Sequence, residues 1–327
     1  MPIACSITAR LAALALAALA TAAQAGGANE GFPSRPIKMV VPVAAGGAPD
    51  VVARIVADKL GRKFGQPVIV ENRPGASERL GAEFVAKAKP DGYTLLVAPP
   101  ASLVISPLLF SHLAYDPKAF VPITVLTSSH LVLLTSPSLN ITSLADLVRR
   151  AKANPGKLTF ASPGIGTPPH LTGEMLKAAA HIETTHVPYK GLAPALADLL
   201  AGHVDVMFDN LGNSIAYIRD GRLKALGIAD DAEIAELPGV PPIAATYPGV
   251  HSTSWFGVVA PPKTQPEIAD RLSTGIAEVL HMPDVVAKLH AMSFTPVASS
   301  PAKMSEFLAE ESARWRGIVD AVGIKAE

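Results

Sequence analysis

The sequence predicts an α/β protein of two lobes, with two parallel or mixed sheets joined by two crossover segments around a hinged cleft. Three observations support this fold. The chain has 327 residues, which suits two domains better than one. Short apolar runs alternate with segments of helical spacing, as in parallel sheets with crossover helices. This alternation runs once and then starts again, so each cycle predicts one lobe.

The composition favours a folded, soluble protein without a nucleic-acid partner. Charged residues make up 17% of the chain and apolar residues 49%, against a usual charged share of about 25%. The chain therefore has enough apolar residues for a large core. Lys and Arg together number 28, as do Asp and Glu, so the formal charge is zero. This balance excludes a nucleic-acid binder that works through bulk positive charge.

Residues 1–25 have the layout of a secretory signal peptide. One Arg precedes an apolar run, Leu11–Ala23, which ends in the small-residue sequence Ala-Gln-Ala. The run is shorter than the roughly 20 residues that span a bilayer, although an uncleaved anchor is the alternative. We expect a mature chain that begins near Gly26 in the periplasm of a Gram-negative bacterium. Because the single Cys, Cys5, lies in this leader, we expect no disulfide and no Cys metal site.

The first cycle of strands and helices follows the leader. Apolar runs rich in β-branched residues predict strands, and apolar residues near helical spacing predict the helices between them. The predicted strands are Ile37–Val43, Val68–Val70 and Tyr93–Ala98, and the helices are Asp50–Leu60 and Leu80–Ala88.

The second cycle begins at Leu131–Thr135, which we predict to be a strand. A helix follows from Ser143, whose side chain is suited to cap its free amides, with Asp146 three residues on as a capping-box partner. Further strands are predicted over Leu158–Ala161, His186–Pro188, Val204–Phe208 and Leu223–Ile228.

Two extended segments, Val121–Leu134 and Ser252–Ala260, are predicted to cross between the lobes. Two apolar stripes at helical spacing then end the chain, and we expect both in the core. They consist of Ile268, Leu272, Ile276 and Leu280, and of Met304, Phe307, Leu308, Trp315, Ile318, Val319 and Val322. The predicted division is therefore 26–127 with 253–327 for lobe 1 and 128–252 for lobe 2. A cleft between lobes is a preferred ligand site.

The first strand leads into a glycine-bearing turn, Ala44-Ala45-Gly46-Gly47-Ala48-Pro49-Asp50, and then a helix. Free amides at a helix N-terminus attract an anion, and Asp50 in the first turn satisfies the helix dipole or a cap. The turn has neither the G-x-G-x-x-G spacing nor a Walker Lys, which disfavours dinucleotide and triphosphate binding. A plain strand-to-helix turn is the alternative.

A second glycine-bearing turn, Ser162–His170, follows a strand of the second cycle. Pro168 and Pro169 have no N–H, so the donors expected there are the N–H groups of Gly164, Ile165, Gly166, Thr167 and His170. The hydroxyls of Ser162 and Thr167 add two more, and Thr167 is placed to cap the helix. We interpret His170 as a structural hydrogen-bonding group. The two turns would face each other across the cleft and offer neutral dipoles to a carboxylate.

Several catalytic templates are absent from the sequence, and the S-x-x-K match at Ser300–Lys303 lacks its partner motifs. The chain has no G-x-S-x-G elbow, no H-E-x-x-H and no EF-hand loop. The nine His are scattered, without a visible set of metal ligands. We therefore expect no catalysis, no cofactor and no metal.

Several strings along the chain resemble the solute receptors of tripartite tricarboxylate transporters, the TctC-like Bug family. They run in order over essentially the whole mature chain: PSRPIKMVVPVAAGGAPDVVAR, VENRPGA, AKAKPDGYTLLVA, YDPKAFVPIT, SPGIGTPPHLTGE, HVPYKGLAPALADLLAGHVDVMFDN and WFGVVAPPKT. Each string alone is weak, but together they are specific.

This resemblance implies a two-lobed periplasmic-binding-protein fold of type II-like architecture that closes about a hinge. It implies a small carboxylated ligand, held at one carboxylate by main-chain amides of both turns, and no catalysis. The family positions matched are Ala45, Gly46, Gly47, Asp50, Ser162, Gly164, Gly166, Thr167, His170, Asp209 and Asn210.

The chain departs from the family in several places, among them Pro49, where Thr is usual, and Val43, where Phe is usual. The usual run PGAGGNIG reads PGASERLG here, so Ser77 and Glu78 replace two glycines and Arg79 replaces an amide side chain. In the family this loop faces the distal end of the ligand. Arg79 is therefore a candidate to grip a distal carboxylate, and Ser77 a candidate contact, although a Glu78–Arg79 pair on the solvated rim is the alternative. The family's Arg after strand Leu223–Ile228 is missing, and acidic residues stand there instead.

We expect a monomeric receptor that captures a small carboxylate for the permease subunits of a tripartite tricarboxylate-type transporter. A receptor of the same fold that signals to a sensor kinase is a second hypothesis. A periplasmic α/β hydrolase is the third, and the lack of a nucleophile–base pair disfavours it.

Overall fold

Residues at the ends of the helices and strands account for where most of these elements begin and end. The computed structural model describes residues 31–324. The predicted signal peptide, residues 1–25, lies outside these described residues. None of the helices within the described part of the chain is long and apolar enough to cross a membrane.

The strands alternate with helices along the chain, as predicted. The strands are β1 (Ile37–Val41), β2 (Val68–Asn72), β3 (Thr94–Ala98), β4 (Val121–Thr135), β5 (Thr159–Ser162), β6 (Thr185–Pro188), β7 (Val206–Asn210), β8 (Lys224–Ile228), β9 (Thr253–Ala260) and β10 (Thr295–Pro296). The helices are α1 (Ala48–Phe64), α2 (Arg79–Ala86), α3 (Ser106–Leu109), α4 (Leu144–Ala153), α5 (Pro168–Ala180), α6 (Leu192–Ala201), α7 (Leu211–Arg219), α8 (Pro266–Leu280), α9 (Pro283–Ala291) and α10 (Pro301–Val322). A π-helical turn, Ala101–Ile105, leads into α3.

The strands form one continuous mixed sheet with the order β2-β1-β3-β9-β4-β7-β5-β6. In its first half β1 lies between β2 and β3, and all three are parallel. In its second half β5 lies between β6 and β7, again parallel. Strands β4 and β9 in the middle run antiparallel to their neighbours.

Strand β4 is shared by both halves of the sheet. Val121–His130 pairs with β9, whereas Leu131–Thr135 pairs with β7 and β8. The sequence analysis treats Leu131–Thr135 as a strand of its own, but here it is the end of one long crossing strand. Because both crossing strands are themselves part of the sheet, the exact boundary between the two lobes stays a prediction.

Of the two hydrogen bonds in the predicted capping box at the start of α4, one is present. The Ser143 hydroxyl accepts the N–H of Asp146 at 3.1 Å. The Asp146 carboxylate, however, accepts the N–H of Thr142 at 3.0 Å, where a capping box would use the N–H of Ser143. The hydrogen bond from Thr142, with others from Arg150 and Arg149, lowers the pKa of Asp146 to about 2.

The C-terminal helix α10 is tied to the crossing strand β9 through a buried carboxylate. Glu311 accepts the indole N–H of Trp255 in β9 at 2.7 Å and that of Trp315 at 3.1 Å. Arg314 donates to both carboxylate oxygens of Glu311. Both indole rings are buried, so each N–H depends on this partner.

We expect Glu311→Ala to lower the free energy of unfolding by about 1–3 kcal/mol, because it leaves two buried indole N–H groups without an acceptor. Urea denaturation measures this loss. The neighbouring exposed Glu310→Ala is the matched control and should change stability by less than about 0.5 kcal/mol. Equal effects of the two variants would contradict a structural role for the Glu311 carboxylate.

Candidate ligand-binding site

The predicted site residues lie at the carboxyl ends of parallel strands. In the first half of the sheet, β1, β2 and β3 end beside one another, with Val41 opposite Asn72. In the second half β5, β6 and β7 end together in the same way. The loops after these strands are therefore the places where a parallel sheet offers main-chain groups to a ligand.

The loop after β1 is held in shape by Asp50, which is buried. One carboxylate oxygen of Asp50 accepts the N–H of Gly46 and the Nε–H of Arg54, each at 2.9 Å. The other accepts the side-chain amide of Asn72, which also donates to the Val43 carbonyl at 3.0 Å. Burial acts to raise the pKa of Asp50, but the hydrogen bonds from Arg54, Gly46 and Asn72 lower it below its ordinary value.

Asp50 is thus engaged with the protein on both oxygens and supports the loop, where the sequence analysis places it among the ligand contacts. Its bond to Gly46 also occupies one of the predicted amides. Within residues 31–324 the N–H groups of Ala45 and Ala48 donate to no protein acceptor. They lie at the N-terminus of α1, where partial positive charge favours an anion.

The turn after β5 is organised by bonds among its own residues. The N–H of Gly164 donates to the Ser162 hydroxyl at 3.2 Å. The Thr167 hydroxyl donates to the Gly164 carbonyl at 2.7 Å, and the Thr167 N–H reaches the same oxygen at 3.3 Å. Thr167 does stand at the N-cap of α5, but its hydroxyl makes no cap bond, contrary to our expectation.

His170 completes this turn as an acceptor. Its Nδ1 accepts the N–H of Gly166 at 3.2 Å, and its ring lies 4.1 Å from that of His186, centroid to centroid. Burial, and then His186 and Lys177, lower the pKa of His170 to about 3. A neutral ring fits the acceptor role at Nδ1. His186 in turn places its Nε2 2.7 Å from the Ser162 hydroxyl.

Three of the five N–H donors expected in the second turn are therefore engaged within it. The N–H groups of Ile165 and His170 are the ones that, among the described residues, have no protein acceptor. Ile165 is 40% exposed, so its amide lies at the open face of the turn. Ser162 and Thr167 shape the turn, because both hydroxyls are already paired.

The loop after β2 adopts a left-handed course that the sequence does not favour. Ala76, Ser77 and Glu78 have φ values of 48°, 50° and 75°. Each such residue costs roughly 1 kcal/mol relative to glycine, which occupies two of these positions in the family that the chain resembles. Strain of this kind is most often kept where it serves a function.

Arg79 does not enter the site as the sequence analysis proposed. Its Nε donates to the Ala76 carbonyl at 2.8 Å, and its guanidinium lies 3.6 Å from the centroid of the Phe110 ring. Glu78 points inward instead. The Ser102 hydroxyl donates to the Glu78 carboxyl at 3.3 Å, and burial raises the pKa of that carboxyl to about 8.

The two halves of the sheet meet at these loops. A Cβ added to Gly164 would lie 3.6 Å from the Ser77 hydroxyl, and one added to Gly166 would lie 2.7 Å from a methyl group of Leu109. The structure therefore brings the loops after β2 and β5 together. The contacts of the loop after β1 run instead to α1 and β2.

Asp209 and Asn210 lie at the end of β7, beside the turn after β5. Asp209 accepts bonds from the Asn210 N–H, the Asn213 side-chain amide and the Ser214 hydroxyl, and so connects the end of β7 to side chains in the first turn of α7. Burial raises the pKa of Asp209 to about 6 against these bonds. The Asn210 side-chain oxygen is buried without a partner in the described part of the chain, so it remains a candidate ligand contact.

Two other features lie outside these loops. Asp230, Asp231 and His251 place one metal-ligand atom each within 4.8 Å of the others, although we expected no such group. His130 of β4 also contacts Asp230, at 2.7 Å, so this cluster links the segment after β8 to the crossing strand. A groove of about 400 Å³ lies between the last turn of α1 and α8.

Four residues important to the loops were absent from the predicted set. They are Arg54 and Asn72, which support the first loop, Ala48, which offers a free N–H, and Glu78. The N-R-P-G string after β2 was a signal for Asn72, and the replacement of two glycines was a signal for Glu78.

Comparison with known proteins gives a consistent family match. A family model described as "Tripartite tricarboxylate transporter family receptor" matches residues 52–324. Protein BugT of Bordetella pertussis is 37% identical over 297 residues, which is 90% of this chain and 91% of that protein.

Solved structures agree. The structure titled "R. palustris Rpa4515 with adipate" is 34% identical, with a TM-score of 0.87 over 90% of this chain and 99% of that chain. MatC from Rhodopseudomonas palustris with bound malate is 32% identical, with a TM-score of 0.83 over 88% of this chain and 100% of that chain. These likenesses confirm the predicted two-lobed α/β fold.

Proposed function

Because this chain belongs to the tripartite tricarboxylate transporter family of receptors, we propose that it captures a small carboxylate in the periplasm and delivers it to a transporter permease. The related structures contain adipate and malate, both dicarboxylates. A signal peptide over residues 1–25 is part of the same proposal, since it would bring the chain to that compartment. We do not assign it a catalytic role.

The observation that carries this proposal is the set of unpaired amides at strand ends. The N–H groups of Ala45 and Ala48 in one half and of Ile165 and His170 in the other have no protein acceptor among the described residues. A carboxylate accepts such bonds with a charge-assisted gain of about 1.5–3 kcal/mol each. Because the donors are neutral, the site binds an anion without a buried counter-charge, which suits reversible release.

The direct test is a thermal-shift screen of the purified mature protein with mono-, di- and tricarboxylates and amino acids, followed by calorimetry on any hit. A ligand that binds only the folded state raises the melting temperature. Failure of all these compounds to bind would overturn the proposal.

We expect Gly164→Val to abolish binding of any carboxylate found in that screen. The new side chain would fill the space between the Ser77 hydroxyl, 3.6 Å from the added Cβ, and the Tyr189 carbonyl, at 3.7 Å. Calorimetry measures the affinity. Gly156→Val is the control, since Gly156 also has positive φ but nothing within 4 Å of an added Cβ. Wild-type affinity in Gly164→Val would remove this turn from the site.

A further inference from the structure

Glu78 is an acid in a place where the protein supplies no cation. Its side chain is partly buried, and the Ser102 hydroxyl, at 3.3 Å, is its hydrogen-bond donor. Among residues 31–324 no Lys, Arg or His nitrogen lies within 4.0 Å of this carboxyl. A carboxyl group in such a place stays protonated until a cation pairs with it, so a cationic group of a ligand would stabilise the ionised form.

The neighbouring cation is held away by two contacts of its own. Arg79 donates to the Ala76 carbonyl at 2.8 Å and stacks on the Phe110 ring. Two neutral groups lie near Glu78. They are Ser102, which donates to its carboxyl, and Tyr115, whose hydroxyl donates to the Ser102 carbonyl at 2.8 Å. Burial raises the pKa of Tyr115 as well, so it stays protonated.

The position of Glu78 places this acid beside the proposed ligand. Ser77, the preceding residue, lies against Gly164 of the turn after β5. Ser102 begins the helical segment after β3, next to the carboxyl ends of the strands. Glu78 therefore lies among the loops that converge from both halves of the sheet, and its φ of 75° directs it there at a cost in backbone strain.

We propose that Glu78 selects the ligand class, so that this receptor prefers an amino carboxylate, whose cationic nitrogen pairs with Glu78, to a plain dicarboxylate. This inference rests on the proposed function, because the anchored carboxylate is its premise. The contrasting arrangement is a protonated Glu78 that donates its O–H to the second carboxylate of a dicarboxylate.

Matched ligands test the choice, since 4-aminobutyrate and glutarate, 5-aminopentanoate and adipate, and aspartate and succinate differ only in one charged group. Calorimetry on the mature protein at pH 7 should show at least a tenfold preference for the amino member of one or more pairs. Glu78→Gln should remove that preference, because an amide keeps the size and hydrogen bonding but not the charge. Glu83→Gln is the matched control, since Glu83 pairs with Lys87 on the surface of α2.

The pH dependence separates the two arrangements. Pairing with an ammonium requires ionised Glu78, whose pKa in the ligand-free protein is about 8. Affinity for the amino carboxylate should therefore rise between pH 6 and pH 8. Binding of a dicarboxylate to protonated Glu78 should weaken over the same range. Tyr115, whose pKa is raised by burial, stays protonated over this range, and His170, whose pKa is about 3, stays neutral.

Each outcome decides between the proposals. If dicarboxylates bind as well as or better than their amino partners, or if Glu78→Gln keeps an amino preference, the inference is overturned while the receptor function stands. If no member of any pair binds, the carboxylate-receptor function itself fails.

Discussion

Asp50→Ala is expected to reduce ligand affinity more than 100-fold and to lower the free energy of unfolding by about 2–3 kcal/mol. The substitution removes the acceptor for Gly46, Arg54 and Asn72 in one step. The loop after β1 then loses its link to α1 and to β2, and the free amides of Ala45 and Ala48 lose their fixed positions. The stability figure is modest because the Arg54 side chain is 52% exposed, and water replaces part of its ion pair.

Asp58→Ala is the matched control for this prediction. Asp58 lies on the same helix and also pairs with an Arg four residues further on, Arg62. Both side chains of this pair are exposed. We expect a loss below about 0.5 kcal/mol and unchanged affinity. Calorimetry and urea denaturation on both variants measure these effects. Full affinity in Asp50→Ala would show that the loop keeps its shape without the carboxylate, or does not bind the ligand.

The parallel strands were predictable because each is a short apolar run between turn residues. The predicted and observed bounds agree within two residues for all six of these strands, β1, β2, β3, β5, β6 and β7. The extent of β4 was predictable, since Val121–Leu134 was predicted as one extended segment without a turn residue, but the change of its pairing partners at Leu131 was not. That change depends on the positions of β7, β8 and β9, and the local sequence of β4 contains no information about those positions.

The candidate loops were predictable, but the roles of their residues were only partly so. Asp50 was correctly placed in the first turn of α1, yet its partner Asn72 comes from β2 and depends on the pairing of Val41 with Asn72. For the same reason, the hydrogen-bond partners of the Gly164 and Gly166 N–H groups could not be predicted from the sequence. Whether an N–H is free depends on side chains such as His170, which return to the turn only once α5 has formed.

The orientations of the Glu78 and Arg79 side chains could not be predicted from the sequence either. The sequence indicated that adjacent side chains at a helix start diverge, so that one would face inward. Arg79 was the candidate for that contact, with a Glu78–Arg79 pair on the rim as the alternative, whereas in the structure Arg79 contacts Ala76 and Phe110, and Ser102 donates to Glu78. Three successive positive φ values decide this, and they are unexpected for Ala, Ser and Glu.

Glu78 should also make the stability of the whole protein pH-dependent. Its pKa is raised from an ordinary 4.5 to about 8 in the folded state by burial, with the Ser102 bond acting the other way. Below pH 4.5 the carboxyl is protonated in both folded and unfolded chains, so it has no net effect. As the pH rises towards 8 the unfolded chain releases its proton first, and the folded state loses stability relative to it.

Glu78→Gln removes this pH-dependent loss of stability. The free energy of unfolding of the variant, relative to that of the wild type, should therefore rise by about 1.4 kcal/mol per pH unit between pH 5 and pH 8, to a total of order 3–5 kcal/mol. Urea denaturation at pH 5, 6, 7 and 8 measures the difference. Contributions from His170, His186 and Asp209 are the same in both proteins and cancel. A constant difference between Glu78→Gln and the wild type across this range would mean that Glu78 is solvated and ionised throughout, and it would remove the electrostatic basis for a cation partner at this position.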